Sequence, residues 1–489
     1  MKRSLLRDLV CPYCGGTFTV TAEAVADDDR VEWGLVECRC FEFPIVDGVL
    51  LLSLAKDHAG PEDRLNPYAP LLIAAIEYLR NRDVDGLRAW IGRHVPEVAG
   101  LLRGSDVGTY LSVSARLGVD IAPLVKQHLD EMSKYEVIGV PRTRDGLRSK
   151  LGRGSRPSAA VVPDRNVELS RLVDYYTTRF FSPRANALAM RMGHLDMTGR
   201  IVSLCCGHGV FENFVRALGM TAELVCIDAQ LVNLLITRTF ANADASFVLH
   251  DVQFPLPFAS GSVDGVFSST CLPELPSQKA FIDESIRITA PTGWTFFDRT
   301  WNVEIGARRI EPTRHYRFAQ NFFGRLEQYV ELFRECAGPD RDVGVDMPRP
   351  TAAYVDDPGW SFGPDADARL AARTKLELSA LVVNPSTFKG FVAPNRSAAM
   401  TPKRLSVSPV FDVDARSDRE TLQLTRRPQL AHLDAELGET FTPFPESQSL
   451  PRHRFGDRGF LLEHFCQGTL ALLPDRFDTA STTLDALLG

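Results

Sequence analysis

The chain has 489 residues, 44% of them apolar and 24% charged, a globular balance that excludes wholesale disorder. Its 55 basic and 62 acidic side chains leave a net charge of −7, which disfavours a general nucleic-acid coat. No run approaches the roughly 18 apolar residues of a membrane span, and the opening residues hold no signal-peptide core. The expectation is a cytoplasmic protein of about three folded units with no membrane partner. Ten cysteines are too sparse for a disulfide scaffold, but four fall within the first 40 residues, and such clustering points to metal.

Residues 1–58 form the first predicted unit. Strand-like pieces at Phe18–Val20, Val31–Val36 and Phe43–Val46 alternate with turn signals at Gly15-Gly16, Asp27-Asp28-Asp29 and Asp47-Gly48. Residues 59–139 read as helical: Leu71, Leu72, Ala75, Ile76 and Leu79 recur at three- and four-residue intervals, and a further helix is predicted near Ile121–Met132. Residues 140–165 read as a basic linker, with seven basic and two acidic side chains (7 − 2 = +5) among several glycines and prolines. Such a run is either a solvated connector or an arm for RNA or another polyanion.

A helix is predicted over Val167–Met192. Strands then alternate with helices: strands at Ile201–Cys205, Leu224–Asp228, Ser246–Leu249, Val263–Ser268 and Trp294–Asp298, helices at Val210–Leu218, Leu231–Phe240 and Gln278–Ile288. This alternation predicts an α/β fold, a Rossmann-like, doubly wound, mostly parallel sheet, within 166–300. Residues 301–489 read as an α+β region, with a helical piece at Arg314–Cys336 and a strand at Leu376–Val383, and could shape an acceptor site.

The first of these strands leads into Cys205-Cys206-Gly207-His208-Gly209, a turn whose glycines let backbone approach a ligand closely. Nineteen residues after Gly209, Asp228 ends the second strand, where a carboxylate can accept from both ribose hydroxyls. Asp251 and Val252 follow the third strand beside the same crevice, placed to meet an adenine.

These features resemble class I S-adenosylmethionine-dependent methyltransferases over roughly 166–300. The glycine turn, Asp228 and Asp251 carry the likeness, with Phe254-Pro255-Leu256-Pro257-Phe258, Gly261-Ser262-Val263-Asp264-Gly265-Val266-Phe267, and Glu284–Ile288 followed by Pro291-Thr292-Gly293. The resemblance implies S-adenosyl-L-methionine as cofactor, held by Ser203, Cys205, Gly207, His208, Gly209, Asp228, Ala229, Asp251, Val252 and Ser269. Two positions depart from the family pattern, which has an acidic residue at Ser203 and glycine at Cys205. Methyl transfer from an activated sulfonium needs alignment more than acid–base chemistry, so no catalytic residue stands out. Ser269, Thr270, Cys271, Glu274, Asp298, Arg299 and His315 are candidates to face the acceptor. Cys271 lacks the preceding proline of the cytosine-C5 methyltransferase nucleophile.

Cys11-Pro12-Tyr13-Cys14 and Cys38-Arg39-Cys40 supply four thiolates, enough for a closed structural zinc site. With Leu5–Val10 before it and Phe43-Pro44-Ile45-Val46-Asp47-Gly48-Val49-Leu50-Leu51-Leu52 after it, this unit resembles the small zinc-ribbon proteins that activate methyltransferases of the translation machinery. The same composition bears on the acceptor. Residues 1–58 carry 6 basic and 10 acidic groups, and 196–300 carry 6 and 11, so neither surface is built for RNA. Three readings stay open: a methyltransferase acting on oxygen or nitrogen of a small metabolite, peptide or protein; an RNA methyltransferase using the 140–165 arm; and a cofactor-dead scaffold.

Overall fold

The computed structural model describes residues 1–52, 69–99, 101–103, 177–195, 197–272, 275, 277–301, 326–357, 359–371, 377–384, 405–414, 417–426 and 443–472. The predicted helix near 121–132, the basic segment 140–165, Glu274 and His315 lie outside them.

The amino-terminal unit opens with a short helix, Arg3–Asp8, followed by the antiparallel strands β1 (Thr19–Ala26), β2 (Val31–Glu37), β3 (Glu42–Val46) and β4 (Val49–Leu51). The Asp47-Gly48 turn joins β3 to β4, with both residues in the left-handed region. Helices Ala69–Arg80 and Val84–His94 follow; Asp83 caps the second by accepting from the Gly86 amide at 2.8 Å.

The predicted 167–192 helix is broken where it is described. A π-helical turn, Thr177–Phe181, gives way at Ser182 to a helix over Pro183–Met192. Pro183 cannot donate to a preceding turn, and the Ser182 hydroxyl accepts from the Ala185 amide at 3.2 Å, so the sequence starts a new helix there.

Five parallel strands then form the centre: β5 (Arg200–Leu204), β6 (Glu223–Asp228), β7 (Ser246–Leu249), β8 (Val263–Ser269) and β9 (Thr289–Trp301). Beyond β9 lie β10 (Asp342–Asp346) and β11 (Glu377–Val383). β11 runs antiparallel to both β9 and β10. One eleven-stranded sheet results, ordered β1-β2-β3-β4-β7-β6-β5-β8-β9-β11-β10. Successive strands leave β5 in opposite directions, so a topological switch point, the usual ligand crevice of such sheets, lies at the carboxyl ends of β5 and β8.

The amino-terminal unit is part of this sheet. β4 pairs in parallel with β7, in the register Val49↔Phe247, Leu50↔Val248 and Leu51↔Leu249. Leu50, Leu51 and Leu52 are fully buried, as expected of a strand covered on both faces. Two further ties reinforce the seam. Arg200 bridges Asp8 at 2.7 Å and Glu223 at 2.9 Å, and the buried Arg238 pairs with Asp47 at 2.7 Å.

The carboxyl-terminal segments add a bridge-like pair, β12 (Ser406–Val407) with β16 (Leu470–Ala471), and a three-stranded sheet, β13 (Phe411–Val413), β14 (Thr421–Arg426) and β15 (Ser447–Pro451). They pack on the 183–192 and 210–217 helices. The Asn186 amide donates to the Phe465 and Leu470 carbonyls at 2.7 and 3.2 Å, and the Asn213 amide donates to the Leu472 carbonyl at 2.9 Å. No helix among the described residues is long and apolar enough to cross a membrane.

Candidate donor cleft and four-thiol site

After β5 the chain turns through Cys205, Gly207 and Gly209, all with positive φ, into the helix Val210–Ala217. Gly209 is required by packing: a Cβ there would stand 2.6 Å from the Ala241 Cβ. The turn is held by Asp228 at the end of β6. One carboxylate oxygen accepts from the Gly207 amide at 2.9 Å, and the other accepts from the Gln230 amide and the Asn233 side chain at 2.8 and 3.1 Å. A carboxylate offers about four acceptor sites, so these bonds leave room to accept from a ribose hydroxyl. Burial pushes the Asp228 carboxyl up to about 6, against the pull of the Gln230, Gly207 and Asn233 donors.

Ser203, Cys205, Gly207 and Ser269 line one cleft at the switch point, together with Arg179 and Arg299. Of the other anticipated donor residues, Gly209 shapes the turn, His208 and Val252 are buried, Ala229 is exposed at the bend after β6, and Asp251 accepts from the Gln253 amide at 2.9 Å. Neither these five nor Asp228, which acts through the Gly207 amide, lines the cleft. The sequence reading missed Arg179, Leu188, Phe211 and Phe267. The last two stack with ring centroids 3.9 Å apart and form an apolar wall. Their signal was present, since aromatic residues fall at the start of the helix and inside the fourth parallel strand, but no local pattern pairs them.

Cys205 is joined by a disulfide to Cys271, just beyond the end of β8. With that bond in place the cleft measures ≈ 60 Å³. Small-molecule sites usually offer roughly 300–1,000 Å³.

Below the cleft lies a buried charge network. Asp298 accepts from Arg191 at 2.7 Å, from Arg299 at 2.9 Å, from Ser269 at 2.9 Å and from Ser379 at 3.1 Å. Burial pushes this carboxyl upward, but the Arg191 and Arg299 guanidiniums outweigh it and hold it well below the usual carboxylate range. Asp298 is thus saturated by its partners and positions Ser269 and Arg299 rather than meeting an acceptor itself. Beside Ser203, Glu212 is fully buried; burial pushes its carboxyl up to about 7, the Ser203 hydroxyl favouring the ionised form.

At the other end of the sheet, the sulfurs of Cys11, Cys14, Cys38 and Cys40 all lie within 4.8 Å of one another. Separations of 3.3 Å (Cys38 to Cys40), 3.6 Å (Cys11 to Cys40) and 3.8 Å (Cys14 to Cys38) lie at or just below the about 3.8 Å edge of a tetrahedral four-thiolate zinc centre. The one-residue spacer Cys38-Arg39-Cys40 reaches this geometry because the Cys38 amide bonds to the Phe41 carbonyl at 3.1 Å, closing a tight turn.

Residues 202–297 match the family model described as a methyltransferase domain. Solved structures similar to the chain include an S-adenosylmethionine-dependent methyltransferase of Thermotoga maritima (17% identity, 44% of this chain and 96% of that one, TM-score 0.30). Another is phosphoethanolamine N-methyltransferase 2 of Haemonchus contortus in complex with S-adenosyl-L-methionine (16% identity, 44% of this chain and 57% of that one, TM-score 0.32). A third is the complex between the Haloferax volcanii Trm112 methyltransferase activator and a methyltransferase (20% identity, 46% of this chain and 100% of the matched chain, TM-score 0.31). No curated protein matches.

The central sheet is a class I methyltransferase fold, Rossmann-like and covered by helices. Residues 202–297 of the chain form a methyltransferase domain.

Proposed function

We propose that the chain methylates an oxygen or nitrogen of a small metabolite, peptide or protein, with S-adenosyl-L-methionine bound across the carboxyl ends of β5 and β8. The observation that carries this reading is the convergence of Ser203, Cys205, Gly207 and Ser269 on one cleft, with Asp228 bonded to the Gly207 amide. Asp228 accepts from the ribose; Ala229, Asp251 and Val252 lie toward the adenine; His208 and Gly209 shape the turn. The donor supplies an electrophilic methyl group, and the protein's part is to align the acceptor and exclude water. Arg179 brings positive charge to the cleft, where the Arg299 guanidinium is already paired with Asp298. That charge suits the carboxylate of the donor or an anionic acceptor.

Cys11, Cys14, Cys38 and Cys40 hold a structural zinc ion, and residues 1–58 act as a methyltransferase-activating ribbon supplied in cis. The β4–β7 pairing supports this role, because the ribbon covers a sheet edge that would otherwise expose unpaired backbone. The remaining units are 59–139 (helical), 140–165 (linker), 166–300 (donor-binding) and 301–489 (acceptor-binding).

The test is transfer of a radiolabelled methyl group from S-adenosylmethionine to cell extracts separated into small-molecule, protein and RNA fractions. Label in the first two, lost with Asp228→Ala, supports the reading. Label confined to RNA would replace it with nucleic-acid methylation.

A further inference from the structure

Cys205 and Cys271 are 66 residues apart in sequence, yet their Cα atoms lie 6.2 Å apart and their sulfurs are bonded. That Cα separation falls in the ordinary range of about 4.4–6.8 Å for linked cysteines. Among the described residues this is the one disulfide; the other eight cysteines are free. Its position is specific. It ties the carboxyl ends of the adjacent parallel strands β5 and β8, between which the switch point lies. Cys205 and Thr270, the residue before Cys271, both line the cleft and both have left-handed backbone, with φ of 56° and 57°. Such conformations are uncommon for non-glycine residues and persist where surroundings impose them. The cleft that Cys205 and Thr270 line holds ≈ 60 Å³, well below the roughly 300–1,000 Å³ of sites that take small molecules.

We propose that Cys205 and Cys271 form a reversible thiol–disulfide modification site that closes the donor cleft when oxidised and opens it when reduced. The proposal rests on the donor reading above. The oxidant class is a low-molecular-weight disulfide such as glutathione disulfide. One cysteine thiolate attacks a glutathione sulfur, breaking the glutathione S–S bond, releasing one glutathione thiolate and leaving a mixed disulfide. The second cysteine thiolate displaces the remaining glutathione as the 205–271 bond forms. The two cysteine protons pass to the two released glutathione thiolates; the protein sulfurs lose two electrons and glutathione disulfide gains them. Reduction by a dithiol runs the same exchanges in reverse.

The experiment uses the full chain, oxidised with glutathione disulfide or reduced with a phosphine. The 205–271 link is mapped by mass spectrometry of unreduced peptides, and binding of S-adenosylhomocysteine is measured by calorimetry. The link is expected in the oxidised sample, with affinity at least tenfold weaker than in the reduced one. Cys271→Ser, or Cys271→Ala should the first variant fail to fold, is expected to bind without response to the oxidant, which separates this pair from the four-thiol cluster. Equal affinity in mapped linked and reduced protein would overturn the gate while leaving the donor reading intact. Failure to form the link would also overturn it. Absence of binding in both states, with the link mapped, would overturn the donor reading and the gate together.

Discussion

Arg191 donates to Asp298 at 2.7 Å with both side chains buried, and through this pair the 183–192 helix is fastened to the end of β9 beneath the cleft. Asp298 also accepts from Arg299, so neutralising it leaves Arg299 without its carboxylate and Arg191 with only Asp346, at 3.5 Å. Asp298→Asn is expected to lower stability at pH 7 by about 3–5 kcal/mol, read as a drop in denaturation midpoint. The sign with pH follows from the depressed folded value. The contribution is present above the ordinary aspartate range near pH 4 and fades as pH falls through the lowered folded value. The gap between parent and variant should therefore narrow in acid; a gap unchanged down to pH 2 would contradict the ion-pair account.

Glu212 works in the opposite direction. Its carboxyl is raised to about 7 in the folded chain, so it favours the fold at low pH and that contribution is lost as pH rises from about 4.5 to about 7. Glu212→Gln is expected to be more stable than the parent at pH 8, by on the order of 3 kcal/mol at most, and nearly equal at pH 4. Denaturant melts at the two pH values check this; a variant less stable at pH 8 would show that the ionised carboxylate is needed.

Asp228→Ala removes the acceptor for the Gly207 amide and for the proposed ribose contact. S-adenosylhomocysteine affinity is expected to fall by about 1–3 kcal/mol, roughly five- to 150-fold. Titration calorimetry on reduced protein measures it, and parental affinity would show that the ribose lies elsewhere.

For the four-thiol site, metal analysis is expected to return one zinc per chain, falling below half in Cys14→Ser. Because β4 is hydrogen-bonded to β7, chelation should also raise amide exchange in Val49–Leu51 and in Ser246–Leu249, not in the ribbon alone. Exchange confined to the ribbon would mean that the seam holds without metal.

Much of the central sheet was legible because each strand is a short apolar run with a turn signal behind it. Ser246–Leu249 and Gln278–Ile288 appear with the boundaries their periodicity implies. Residues Thr289–Trp301 form a strand longer than the Trp294–Asp298 read from the sequence, because pairing with β11 carries polar positions such as Thr300 along. What joins distant segments was not legible. Val49–Leu52 is an apolar run that the sequence alone did not mark as a strand, and nothing local says that it pairs with β7. Cys205 stands out as an odd residue in a glycine turn, yet only the fold brings Cys271 to it. The Phe211–Phe267 stack and the anchoring of Asp298 by Arg191 likewise depend on which strand lies beside which.

The central claim is tested most directly by titrating the reduced, full-length protein with S-adenosylhomocysteine in a calorimeter. The account predicts saturable binding of one equivalent per chain. Neither heat nor a shift in melting temperature at millimolar ligand would contradict it.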